Sequence, residues 1–246
     1  MYGKPIQCNV GYCLVDPEAG FAFEPPRTVL SGRAAPLGPR AVQNCPAVNG
    51  LERQLVEIPS PIGLRMSLQI QNGELGLAIN PKGTIADPEV LGKMLYVEQQ
   101  QHWRDPKRPI LSLKLPWFFV TDEPCMVSIL PPFLGAEMRR WPGAMVVGRY
   151  PVTDWPKSLT WSIEWEDFNA ELILRQGEPL AYASFEFDNP NKRPKLVEAE
   201  MTDALSEYRA GIDGVHHLTN QIEELWSSAR ERRPAQLLTD PTGADT

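Results

Sequence analysis

The stretch LTWSIEW, residues 159–165, places Leu159, Trp161, Ile163 and Trp165 on one side of an extended chain. Thr160, Ser162 and Glu164 fall on the other. Strict alternation is the mark of a half-buried strand, and a 3.6-residue period would scatter the two tryptophans around a helix. Two indoles on one strand face bury enough area to stabilise a core by several kcal/mol.

The same period of two recurs on both sides of this strand. Strands are expected at residues 111–121 (LSLKLPWFFVT), 125–130, 144–150, 170–174 and 181–187. Upstream, residues 64–70 (LRMSLQI) and 74–80 (ELGLAIN) alternate about Asn72–Gly73, which signals a hairpin. Residues 88–101 show helical spacing. The 25 prolines in 246 residues are about twice the usual 5% share, and proline interrupts helices and central strands. Together these features predict a mainly β fold, a sandwich or β-clip-like body over residues 46–190. An irregular N-terminal arm over 1–45 precedes it, with one short strand at 5–10, and a helical segment over 191–246 with a frayed tail follows.

The arm contains PPRTVLSGRAAPLGPRAVQNCP, residues 25–46, with no sustained period. So long an irregular run reads as a wrapping segment that packs on the body or on a neighbouring chain. In the C-terminal segment Leu205, Tyr208, Ile212, Val215, Thr219, Ile222, Trp226 and Ala229 follow at spacings of three and four, a heptad-like seam. Gly211 and Gly214 predict a kink or two helices. The seam has two readings, packing on the protein's own body or self-association through Tyr208, Ile212, Ile222 and Trp226. A homo-oligomer held by this helix and the arm is the partner expectation. The RERR run, residues 230–233, reads as a solvated helix end.

Net charge is −7, from 31 acidic and 24 basic residues, which disfavours non-specific contact with nucleic acid. No apolar run approaches the length of a membrane span, and the N-terminus lacks a secretory h-region. Cys8, Cys13, Cys45 and Cys125 form no C-x-x-C pair and read as free buried thiols of a cytoplasmic protein. The three histidines, His102, His216 and His217, fit no zinc or iron motif, so no metal is expected. Walker A, G-x-G-x-x-G and G-x-S-x-G motifs are missing from the sequence, and no cofactor is expected.

The densest group of polar and aromatic residues is PWFFVTDE (116–123), VTDW (152–155) and GEP (177–179). One reading makes Trp117, Asp122, Asp154, Trp155 and Glu178 a ligand pocket at one end of the sheets. The other makes the carboxylates strand-end turn residues and the tryptophans core.

Residues 116–187 resemble an uncharacterised family, a domain of unknown function, found in bacteria and tailed phages. The likeness rests on PWFFVTDE, ILPPF, VTDW, LTWSIEW and LRQGEPLAYASFEF, with NCPAVNG and IPSPIGL upstream. EAEMTDALSEY and ERRPAQLL resemble forms from marine phages, which implies a phage-derived source and the host cytoplasm. A weaker resemblance is to the β-clip fold of dUTPases and dCTP deaminases, carried by Asp154–Trp155 and ILRQGEPLAY, residues 173–182. The chain lacks that family's serine-rich phosphate loop and glycine-rich C-terminal arm, and Glu178–Pro179 replaces Asp-Arg. The resemblance therefore implies fold and not nucleotide hydrolysis. The expectation is a non-catalytic binding or assembly protein; the alternative is a small-molecule (nucleotide-like) binder or enzyme using the carboxylate and aromatic group.

Overall fold

The computed structural model describes residues 5–15, 23–32, 38, 40–71, 74–85, 88–135, 140–213 and 221–239. The fold is mainly β, with 41% strand against 22% helix, and is consistent with a sandwich-like body. Its axis is β7 (Ile110–Val120), the longest strand, which pairs antiparallel along one edge with β11 (Ser158–Trp165). The other edge of β7 is shared by two strands. β1 (Ile6–Leu14) takes residues 117–120, and β6 (Leu95–Val97) takes residues 111–113. β14 (Lys192–Glu198) runs parallel to β1 at one margin, and β9 (Gly143–Met145) pairs with β11 at the other.

The second sheet has the order β10 (Gly148–Pro151), β8 (Cys125–Leu130), β13 (Pro179–Phe187), β3 (Leu55–Pro59) and β2 (Arg27–Thr28). A third, smaller sheet has the order β12 (Leu172–Leu174), β4 (Leu64–Gln71) and β5 (Glu74–Ile79). Short helices α1 (Pro46–Glu52) and α2 (Pro88–Met94) lie between strands. α3 (Asp203–Asp213) and α4 (Ile222–Arg232) follow the body.

Side-chain alternation explains this layering. Leu111, Leu113, Leu115, Trp117 and Phe119 of β7 enter the main core with Leu159, Trp161, Ile163 and Trp165 of β11. Trp161 and Trp165 therefore share one face, as the sequence demands. On the reverse face of β7, Ser112 and Lys114 are polar, whereas Phe118 and Val120 are buried. That apolar half is covered by a second core containing Trp155, Leu205, Tyr208, Ile212, Leu225 and Ala229.

Several elements depart from the sequence reading. β1 extends the short strand expected at 5–10 as far as Leu14, β14 lies within the stretch read as helical, and both belong to the central sheet. Pro194 and the charges of β14 mask its strand character, and a margin strand tolerates both. Residues 144–150 form two strands, since the chain leaves one sheet after Met145 and joins the other at Gly148. The helix expected over 88–101 stops at Met94, where Leu95–Val97 gains a place beside β7. Gly143 has a close-approach role: a methyl group there would lie 1.8 Å from the Glu164 carbonyl oxygen.

The C-terminal seam divides into two helices. Tyr208 and Ile212 are buried against the chain's own body, Trp226 is partly buried, and Ile222 is 56% exposed. Leu225 and Ala229 face inward on α4. Gly214, Val215 and Thr219 lie outside the described residues. Among the described residues no helix is long and apolar enough to cross a membrane.

Replacing Trp165 by Ala is expected to destabilise the protein by about 3–5 kcal/mol in urea unfolding, through lost burial and a retained cavity. Ile222→Ala should stay within about 0.5 kcal/mol, since its side chain already meets solvent.

Candidate functional site

The loops that end β7 and precede β11 carry Asp122 and Asp154, and both carboxylates are taken up by the C-terminal segment. Asp122 accepts a hydrogen bond from the Arg233 guanidinium. It also accepts the amides of Leu237 at 2.9 Å and Leu238 at 3.1 Å. Arg233 donates further to the carbonyls of Thr153 at 2.8 Å and Thr121 at 3.2 Å. Its side chain is only 10% exposed. The solvated helix end read from RERR is thus corrected at Arg233, which enters the interior because five carbonyl and carboxylate groups satisfy its donors.

Asp154 accepts from Arg230 Nε at 2.9 Å and Nη2 at 2.8 Å. The Tyr208 hydroxyl sits between the Asp154 and Ala229 carbonyls and shares its single proton with them. Arg209 donates to the Pro156 carbonyl at 3.1 Å and to Ser158 Oγ at 2.6 Å, with its guanidinium 3.8 Å from the Phe118 ring centroid. Trp155 lies in the second core beneath these contacts. Asp122, Asp154 and Trp155 are therefore brought together, and the chain's own donors occupy the two carboxylates.

The other two candidates lie elsewhere. Trp117 points to the opposite face of β7 from Phe118 and meets Tyr12 edge-on, with centroids 5.7 Å apart. Glu178, in the turn before β13, pairs with Arg175 at 2.9 Å. Beside it Gly177 adopts φ +79°, and a side chain there would strike the Glu24 carboxylate at 2.6 Å. Arg27 links Glu24, Glu57 and the Gly177 carbonyl, so this part of the arm packs on the body. The five residues occupy three places.

The thiols are of two kinds. Burial pushes Cys13 and Cys125 up to about 12 and raises Cys8. Cys45 is exposed, correcting the expectation of a buried thiol, and hydrogen bonds from the Val48 and Ala47 amides at the start of α1 lower its pKa.

A feature that sequence reasoning missed lies on the smallest sheet. Asn80 donates its amide to the Arg65 carbonyl at 2.8 Å, which makes 65 and 80 a hydrogen-bonded pair of the β4–β5 ladder. Parity then points the amides and carbonyls of Leu75, Leu77 and Ile79 away from β4. Among the described residues no strand pairs with that edge. Leu77 and Ile79 are 36% and 43% exposed and, with Pro88, Leu91, Gly92 and Leu95, line an apolar groove of about 410 Å³ between β5 and α2. The alternation in ELGLAIN was legible; that its outer edge is free depends on sheet order.

No family model, curated protein or solved structure matches this chain. Function is read from the geometry.

Asp122→Ala should speed amide exchange at Leu237 and Leu238 and cost about 2–3 kcal/mol in denaturant unfolding, because it strands a buried guanidinium and two amides. Arg230→Ala, on the solvent side, should cost about 1 kcal/mol or less. The raised thiols set a pH limit on stability. Above pH about 9 the unfolded chain loses thiol protons that the folded chain keeps until about 12. Stability should therefore fall through that window by about 1.4 kcal/mol per pH unit for each such thiol. Iodoacetamide at pH 7.5 should label Cys45 first and the buried thiols only on unfolding, as read by peptide mass.

Proposed function

We propose that this chain is a non-catalytic assembly protein that joins a second copy of itself through the free edge of β5. One observation carries the reading: three successive outward-facing backbone positions, Leu75, Leu77 and Ile79, all bear bulky apolar side chains beside an apolar groove. Exposed edges are commonly guarded by lysine, proline or a bulge, and the sequence ELGLAI contains neither lysine nor proline.

The edge is complementary to itself. In an antiparallel pair about a two-fold axis, Leu77 lies opposite Leu77 of the second copy and Leu75 lies opposite Ile79. Because all three belong to the outward set, each pair exchanges two backbone hydrogen bonds, giving six. Their side chains share one face and extend the apolar lining formed by Leu91 and Leu95. The result is a continuous sheet, β12-β4-β5 joined to its two-fold mate. So small an interface suits reversible association in the micromolar range. The seam residues Tyr208 and Ile212 and the described arm residue Arg27 are engaged within their own chain, which moves self-association to this edge. Free thiols suit a reducing compartment.

Sedimentation equilibrium between 1 and 100 µM, on the order of the expected dissociation constant, should show a monomer–dimer equilibrium. Leu77→Pro removes an amide that points away from β4, so the hairpin should persist while the dimer is lost. Leu77→Lys should act likewise. A strict monomer over this range, or a dimer indifferent to both variants, defeats the reading.

A further inference from the structure

We infer that the cleft between α1 and the first residues of β1 and β14 binds an extended acidic peptide of a partner protein. This surface is separate from the β5 edge and does not depend on it.

The cleft measures about 1080 Å³, at the upper limit of small-molecule sites, which suits a length of chain better than a single metabolite. Local periodicity builds both of its walls. Pro46, Asn49, Gly50 and Arg53 line one side and recur at helical spacing along α1 and its C-cap. Gln7 and Arg193 line the other side. They are partners in the parallel β1–β14 pair, so their side chains leave the same sheet face. Asn191 adjoins them just before β14. At Gly50 the helix presents bare backbone, and a methyl group added there would meet no atom within 4 Å. The helical wall is therefore open at its middle.

Three features define the occupant. The first is charge. Arg193 Nη1 donates to the carbonyls of Pro190 and Lys192, which fixes the guanidinium, while Nε and Nη2 have no acceptor among the described residues. Neither Arg193 nor Arg53 is paired with a carboxylate among the described residues, although the chain carries a net charge of −7. Glu52, the one acid among the lining residues, is 8% exposed. The surface of the cleft is thus positive, and guanidinium forks match carboxylates in geometry. The second feature is the side-chain amides of Gln7 and Asn191, which carry both donors and acceptors, as a peptide group does. The third is that no aromatic side chain is among the lining residues, so nucleobases would find no surface to stack on.

The probe is a fluorescein-labelled octapeptide of alternating glutamate and alanine, whose period of two sets its carboxylates on one side when extended. Its control replaces every glutamate by glutamine. Anisotropy titration of the full chain at about 50 mM salt, where screening is weak, should give a dissociation constant below about 1 mM. The glutamine peptide should bind at least about fivefold more weakly, and Arg53→Gln and Arg193→Gln should each weaken the acidic peptide by about two- to fivefold. Gly50→Leu fills the cleft while improving helix propensity. It should weaken the peptide by at least about tenfold with an unchanged or raised melting temperature. Unchanged melting temperatures show that the arginine variants are folded. Equal binding of the two peptides, an unaltered affinity in Arg193→Gln or Gly50→Leu, tighter binding of an oligothymidylate, or no binding at about 1 mM peptide overturns the inference.

Discussion

Burial of β7 on both faces is the constraint on which the rest of the structure depends. One face supplies five consecutive odd-numbered side chains to the sandwich core, and the other supplies Phe118 and Val120. A strand that is apolar on both sides needs a second covering layer, since an exposed Phe-Val patch would forfeit its transfer free energy. α3 and α4 provide that layer. On the outer face Lys114 is exposed and Pro116 half-buried, and the helical cover begins at Phe118.

The helical layer is held by charge as well as by apolar area. Arg209, Arg230 and Arg233 reach the loops on either side of the sheet end, where Asp122, Asp154 and the carbonyls of Thr121, Thr153 and Pro156 receive them. Their contributions differ in kind. Arg233 is nearly buried and multiply bonded, so its pairing with Asp122 specifies where the chain after α4 docks. Arg230 stands mostly in solvent and adds little beyond orientation. Carboxylates that looked available for a ligand are thus consumed in attaching one part of the chain to another.

Once those carboxylates are assigned, functional capacity falls on groups that the fold leaves unmatched. The outer edge of β5 is one, a row of backbone donors and acceptors beside apolar side chains. It arises where a sheet stops, since β5 is the terminal strand of the smallest sheet. Sheet margins are where backbone and side-chain groups lack neighbours of their own chain.

Local alternation by itself determined that this protein is mainly β, that Trp161 and Trp165 lie on one face, and that residues 64–80 return as a hairpin, because side-chain period depends only on the pleat of a single strand. Only the tertiary structure decided that KRPKLVE is a strand, that residues 144–150 divide between two sheets, and that Asp122 binds Arg233. Each depends on a partner remote in sequence: β14 on β1, Gly143 on Glu164, and Asp122 on a residue 111 positions away. Pairing energy between distant segments leaves no periodic trace in either one, so edges, corners and ion pairs emerge only when the sheets are assembled.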